Sequence, residues 1–209
     1  MAHIEYFFAT ISPNTYIAGT RLEAVAAKHG ATVTYRPLDI MGLFARTGGI
    51  PPGQRHESRQ AYRLQELRRQ SAKQGLPFNL RPAHWPTNPA PSSYAVIAAQ
   101  KAVRDGGSEG DLGALVFAIT RACWAEEKNI AEDDVIRACL VATGFDAGLV
   151  DSALLAGAEE YAENLETAVR MGAFGAPFYI VTEDDERFWG QDRIDDLDAH
   201  LAARALSDD

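Results

Sequence analysis

Strand-forming sequence occurs only near the two ends of this chain, and that placement limits the folds open to it. Residues 3–9 are rich in Ile, Tyr and Phe and run into Thr-Ile-Ser-Pro-Asn, the pattern of a buried strand ending at a helix start. Pro13 suits a first helical turn, where its missing N–H costs nothing, and this puts Ser12 at or beside the N-cap. Tyr16, Ile17, Leu22, Val25 and Ala26 keep a helical period as far as His29, with Gly30 as the stop. Residues 31–38 alternate in the period-two manner of a second strand. Such a βαβ unit predicts two parallel strands with a right-handed crossover.

The middle of the chain carries helical pattern instead. Residues 47–54 form a Gly/Pro-rich loop, and residues 55–74 a strongly charged helix with Ala61, Leu64 and Leu67 on one face. Residues 75–91 form a proline-rich loop that includes Trp85; so long an irregular segment in a compact fold usually has a task. Helices are predicted over 93–105, 111–126, 133–143 and, with a break, 148–170. Strands return at 177–182 and 187–189 around a hairpin turn, and an amphipathic helix over 193–206 closes the chain. The order predicts an α/β fold in which residues 1–53 and 171–209 build one sheet domain and residues 54–170 form an inserted all-helical domain.

Composition narrows the partners. With 209 residues, 46% of them hydrophobic, the chain can bury a real core, and its net charge of -9 argues against nucleic acid or an anionic membrane. No stretch approaches the roughly 20 apolar residues of a membrane span. The first residues lack a basic region and a small-residue cleavage site, so a cytoplasmic location is expected. Cys123 and Cys139 form no CxxC and have no zinc-ligand spacing, which makes them packing residues and leaves no expected metal site.

Three segments carry chemical interest: Ser12-Pro13-Asn14-Thr15, Gly175-Ala176-Pro177 and Trp189-Gly190-Gln191-Asp192-Arg193. If both chain ends share one sheet, all three lie at the edge where an α/β crevice binds its ligand. Ser12 is either an ordinary N-cap or a hydroxyl donor beside a ligand thiolate at a helix entrance. Ala176-Pro177 is either a plain trans strand start or a cis turn whose exposed peptide groups pair with an extended ligand. Asp192 either caps the last helix or pairs with a ligand ammonium, while Gln191 takes a carboxylate.

Ser12-Pro13, the run from Gly172 to Pro177 and the run from Phe188 to Arg193 occur in an order that resembles the glutathione-dependent 2-hydroxychromene-2-carboxylate isomerases. These are relatives of kappa-class glutathione transferases and, more distantly, of DsbA oxidoreductases, and the resemblance covers nearly the whole chain. It implies a thioredoxin-like domain split by the helical insert, with glutathione as cofactor and Ser12 donating a hydrogen bond to its sulfur. Ala176 and Pro177 would hold the cysteinyl backbone; Trp189, Gly190, Gln191 and Asp192 would hold the γ-glutamyl end. Phe44, Gln54, Arg55 and Trp85 fall where these isomerases contact an aromatic substrate. Two departures stand out: Asn14-Thr15 makes the wall near the thiol more polar, and Phe44 replaces a substrate-binding lysine, leaving Arg46 and Arg55 to supply the charge.

The resemblance further implies reversible addition of thiolate to an unsaturated aromatic keto acid, so that glutathione is not consumed. A glutathione transferase or peroxidase would consume it, and an inert binding module would show no turnover. A dithiol oxidoreductase is disfavoured by the absence of cysteine from residues 12–15. The alanine-rich helical region suggests a face for a second copy, and so a homodimer.

Overall fold

The computed structural model describes residues 1–207 and joins both ends of the chain in a four-stranded sheet. β1 (His3–Phe8) runs parallel to β2 (Thr32–Pro37) and antiparallel to β3 (Phe178–Val181), which pairs in turn with β4 (Glu186–Trp189). The strand order is β2-β1-β3-β4, with Tyr6 opposite both Tyr35 and Tyr179. The parallel pair and the terminal hairpin are therefore both as the sequence predicts.

Alternation along β1 divides the core. Ile4, Tyr6 and Phe8 join a large cluster with residues of α1 (Pro13–Ala18), α2 (Arg21–His29) and α9 (Ile194–Ser207). Phe7 points the other way, toward Leu43 of α3 (Ile40–Thr47) and Ala168 of α8 (Leu149–Arg170). Glu5 lies on this second side, paired with Arg36, whose Nη1 donates to Asn164 Oδ1 at 3.1 Å. The amide of α8 thus completes a largely buried ion pair, the condition under which such a pair is tolerated.

Between the two halves lie α4 (Glu57–Lys73), α5 (Ala90–Arg104), α6 (Leu112–Trp124) and α7 (Asp133–Ala142). Their docking on the sheet is specific. Tyr35 N donates to Gln100 Oε1 at 2.7 Å and Gln100 Nε2 donates to Tyr35 O at 3.1 Å, so one amide of α5 acts as a further rung on the edge strand. Ala95, Ala98 and Ala99 of α5 and Ala153 and Ala168 of α8 are buried within the single chain. These alanines serve intramolecular packing, while Val141, Leu154 and Leu155 of the same helical region remain exposed.

Three local differences from the sequence reading bear on the site. The helix expected to run on to His29 is broken: Gly19 adopts φ 62, and α1 is one and a half turns long before α2 begins. Arg21 spans that break, its Nε donating to Ala18 O at 3.1 Å. α3 was not foreseen; Asp39 starts it by accepting from Met41 N at 2.9 Å. α8 is continuous where a break was expected. Among the described residues no helix is long and apolar enough to cross a membrane.

Candidate active site

Ser12 occupies the N-cap of α1, with extended backbone and a side chain only 9% exposed. Its Oγ accepts from Thr15 N at 3.4 Å and donates to Ala176 O at 3.4 Å. Both contacts are longer than ordinary hydrogen bonds of their kind, so the hydroxyl is placed but only weakly engaged. Ala176-Pro177 is cis. Ser12 therefore caps a helix and also faces the turn before β3.

The third segment is tied to the same place. Gly190 N donates to Pro177 O at 3.0 Å, which sets the end of β4 beside the cis turn. Gly190 has φ 115, and a Cβ there would come within 2.5 Å of Asp192 Oδ1, so only glycine permits Asp192 its position. Gln191 is buried and held by Arg21, whose Nη2 donates to Gln191 O at 2.6 Å and Oε1 at 2.9 Å. That leaves the Gln191 Nε2 donor without a protein partner among the described residues, as is the Ala176 N–H. Asp192 is exposed, with Arg193 3.4 Å away as its ion-pair partner. Trp189 is 56% exposed and stacks edge-on with Phe174 at 4.9 Å.

Opposite these groups runs a cationic wall. A cavity of about 290 Å³ is lined by Phe44, Arg55, Arg59, Phe174 and Trp189. A second, of about 350 Å³, is lined by Asn14, Arg55, Arg59, Arg63 and Glu66. A third, of about 430 Å³, carries Arg63, Leu64, Arg81 and Trp85. Shared arginines make the three neighbours along one cleft wall, and the second reaches Asn14, two residues from Ser12. Burial, reinforced by neighbouring Arg59, lowers the affinity of Arg55 for its proton; burial and Arg55 act likewise on Arg63. Such shifts mark guanidinium groups whose charge is not neutralised locally. Glu66 does not neutralise them, because it accepts from Gln70 at 2.7 Å and Arg69 at 2.5 Å.

Of the residues expected at the substrate, Phe44, Arg55 and Trp85 line this cleft, whereas Gln54 is exposed on a 3-10 turn and lines none of the three cavities. Arg46, considered as a substitute charge, pairs instead with Glu166 on α8. Trp85 packs against Trp124 with the rings tilted and 5.6 Å apart, and Trp124 Nε1 donates to Ile11 O at 3.2 Å, which fixes the proline-rich loop beside the Ser12 turn. Cys123 and Cys139 are buried, and burial pushes their thiols up to about 12 and about 11, so neither supplies a thiolate at neutral pH. Among the described residues no His, Cys, Asp and Glu gather as a metal site.

Arg21, Arg59, Arg63 and Phe174 are the site residues that sequence reasoning missed. Arg55, Arg59 and Arg63 recur every fourth residue, a stripe that is legible in the sequence. Arg21 gives no such signal, because its partner Gln191 lies 170 residues away.

The chain is 28% identical over 95% of its length to a 2-hydroxychromene-2-carboxylate isomerase of Sphingobium xenophagum, covering 97% of that protein. A solved 2-hydroxychromene-2-carboxylate isomerase superposes with a TM-score of 0.77 at 22% identity, over 99% of this chain and 97% of the other. The cytosolic disulfide reductase DsbM from Pseudomonas aeruginosa, solved with GSH, superposes with a TM-score of 0.69 at 22% identity, over 98% and 99%. At that identity the two structures speak for the fold. The model of the DSBA-like thioredoxin domain matches residues 3–202, and the chain belongs to that family.

Proposed function

We propose that this protein is a glutathione-dependent isomerase of an unsaturated aromatic keto acid, interconverting 2-hydroxychromene-2-carboxylate and trans-o-hydroxybenzylidenepyruvate. The observation that carries the reading is the hydroxyl of Ser12, set 3.4 Å from the carbonyl of a cis-Pro turn in a chain whose own thiols are buried. A sulfur working there must arrive with a ligand. The names of the relatives supply the substrate, and the GSH in DsbM the cofactor class.

The free polar groups fit a γ-glutamyl tripeptide. Asp192 offers a carboxylate for its ammonium, Gln191 Nε2 a donor for its α-carboxylate, and the Ala176 N–H a donor for its cysteinyl backbone. When bound, glutathione supplies a nucleophilic sulfur for reversible addition to the conjugated double bond. Ser12 donates to that sulfur and favours its anionic form. The short α1 limits the help of a helix dipole, so the hydroxyl does most of this. Arg55 faces the developing enolate oxygen, and Phe44 and Trp85 bound the aromatic ring.

The test is the thiolate absorbance of bound glutathione as a function of pH, in the native protein and in Ser12→Ala. The native complex should titrate well below free glutathione, and the variant close to it. Identical titration curves would remove Ser12 from the chemistry. Glutathione unchanged in amount after many turnovers of the keto acid separates isomerisation from a transferase or peroxidase.

A further inference from the structure

The cleft holds more positive charge than the proposed reaction needs. In a chain of net charge -9, Arg55, Arg59, Arg63 and Arg81 all line its cavities, and among the described residues none of the four has a carboxylate partner. Arg55 Nε donates to Ile50 O at 2.8 Å and Arg63 lies over the Trp85 ring at 5.4 Å; these are their specific contacts. An unpaired guanidinium is costly to crowd beside others, and a bound anion is what relieves it.

The four divide by position. Arg55 and Arg59 share the cavity with Phe44 and Trp189, next to the cis-Pro turn. Arg63 and Arg81 share the far cavity, whose floor is Leu64, Leu80, Pro82 and Trp85. Arg59 and Arg63 stand one turn apart on α4, about 6 Å along the helix axis. The first and the far cavity thus present two cations each, the far pair over apolar and aromatic surface, while the middle cavity, which Arg55, Arg59 and Arg63 share with Glu66, lies between them. A planar ligand with a single carboxylate satisfies only the first pair.

We infer that the far cavity is a second anion subsite, and that the preferred ligand is a dianionic aromatic acid: one carboxylate at Arg55 and Arg59, a ring on Trp85, and a second anionic substituent between Arg63 and Arg81. The inference goes beyond the isomerase reading, whose named substrate carries a single carboxylate, and rests on that reading only for the role of the first carboxylate. It also gives the contact of Arg63 with Trp85 a purpose: the indole attracts the guanidinium at 5.4 Å and keeps it on the wall of the far cavity.

Calorimetric binding of cinnamate and of 3-carboxycinnamate to the intact, glutathione-saturated protein tests this without turnover. The dianion should bind about tenfold to a hundredfold more tightly, the worth of one further charge-assisted contact. Arg63→Gln and, independently, Arg81→Gln should shrink that ratio to within about threefold. Equal binding of the two probes by the native protein overturns the subsite, as does a variant that weakens both in equal proportion. Isomerisation of trans-o-hydroxybenzylidenepyruvate is assayed on the same preparation. A large probe ratio without isomerisation sinks the isomerase reading and keeps the subsite; isomerisation with a ratio near one does the reverse.

Discussion

On the sheet side of the cleft each segment is tied to the next, Ser12 to Ala176, Pro177 to Gly190 and Gln191 to Arg21, whereas on the α4 side Arg59 and Arg63 have no carboxylate partner among the described residues. The first wall is a set of donors and acceptors fixed before any ligand arrives, so its ordering cost is already met and one pose is favoured. The second wall attracts anions without dictating where each must sit. A cofactor that must present one sulfur in one place belongs to the first kind of surface. Substrates that differ in their rings and substituents belong to the second.

The largest effect should come from the atom on which the fixed wall converges. Ser12→Ala should lower kcat/KM about a hundredfold to a thousandfold, in line with loss of one preorganised donor to developing charge. The dissociation constant of glutathione should change only severalfold, because Gln191, Asp192 and Ala176 remain. A parallel loss of affinity would mean that Ser12 holds the tripeptide, and the division between walls would blur.

Arg55→Ala probes the other wall and should cost about tenfold to a hundredfold in kcat/KM for the keto acid, with glutathione affinity preserved. A defect confined to glutathione binding would assign Arg55 to the fixed wall. Arg21→Met should do the opposite, raising the glutathione dissociation constant about tenfold while the KM of the keto acid holds. Arg21 reaches the glutathione site through Gln191, so Arg21→Lys should recover part of the loss: one ammonium can replace only some of the two bonds to Gln191.

How far each wall was legible in the sequence follows from how it is built. Ser12-Pro13, Ala176-Pro177 and the run from Trp189 to Asp192 are short contiguous segments at strand ends, and backbone geometry places them once the strand order is known. The cationic wall arises where the charged helix after the second strand crosses Ser12 and the proline-rich loop, a packing relation with no local signature. Residues 55–74 were therefore legible as a helix but not as a site. The break at Gly19 was hidden because helix-compatible apolar residues resume at Leu22 directly after it. Arg46 misled for a related reason: it stands near Phe44 in sequence, but α3 turns it toward Glu166.

A control should leave both walls alone and report on the packing seam between α2 and α6, and Glu23 is placed for it. It lies on α2, accepts from Tyr35 OH at 2.8 Å, and sits so close to α6 that Gly113 has no room for a side chain. Burial raises the Glu23 carboxyl above the usual range, against the opposing hydrogen bond from Tyr35, and its Oε2 is buried with no hydrogen-bond partner among the described residues. The folded state therefore binds this proton more tightly than the unfolded chain does. The associated stability is present in full below the unfolded value of about 4.5 and is lost as pH rises through the raised folded value. Glu23→Gln keeps an acceptor for Tyr35 and cannot ionise, so its melting temperature should exceed that of the native protein at pH 8. The advantage should fade by about pH 4; in a chain of this size each kcal/mol regained corresponds to about 2–4 °C. Glutathione and keto acid affinities should be unaltered at either pH. A gain independent of pH would place its origin in packing against Gly113, and a change in either affinity would show that the seam transmits to the cleft.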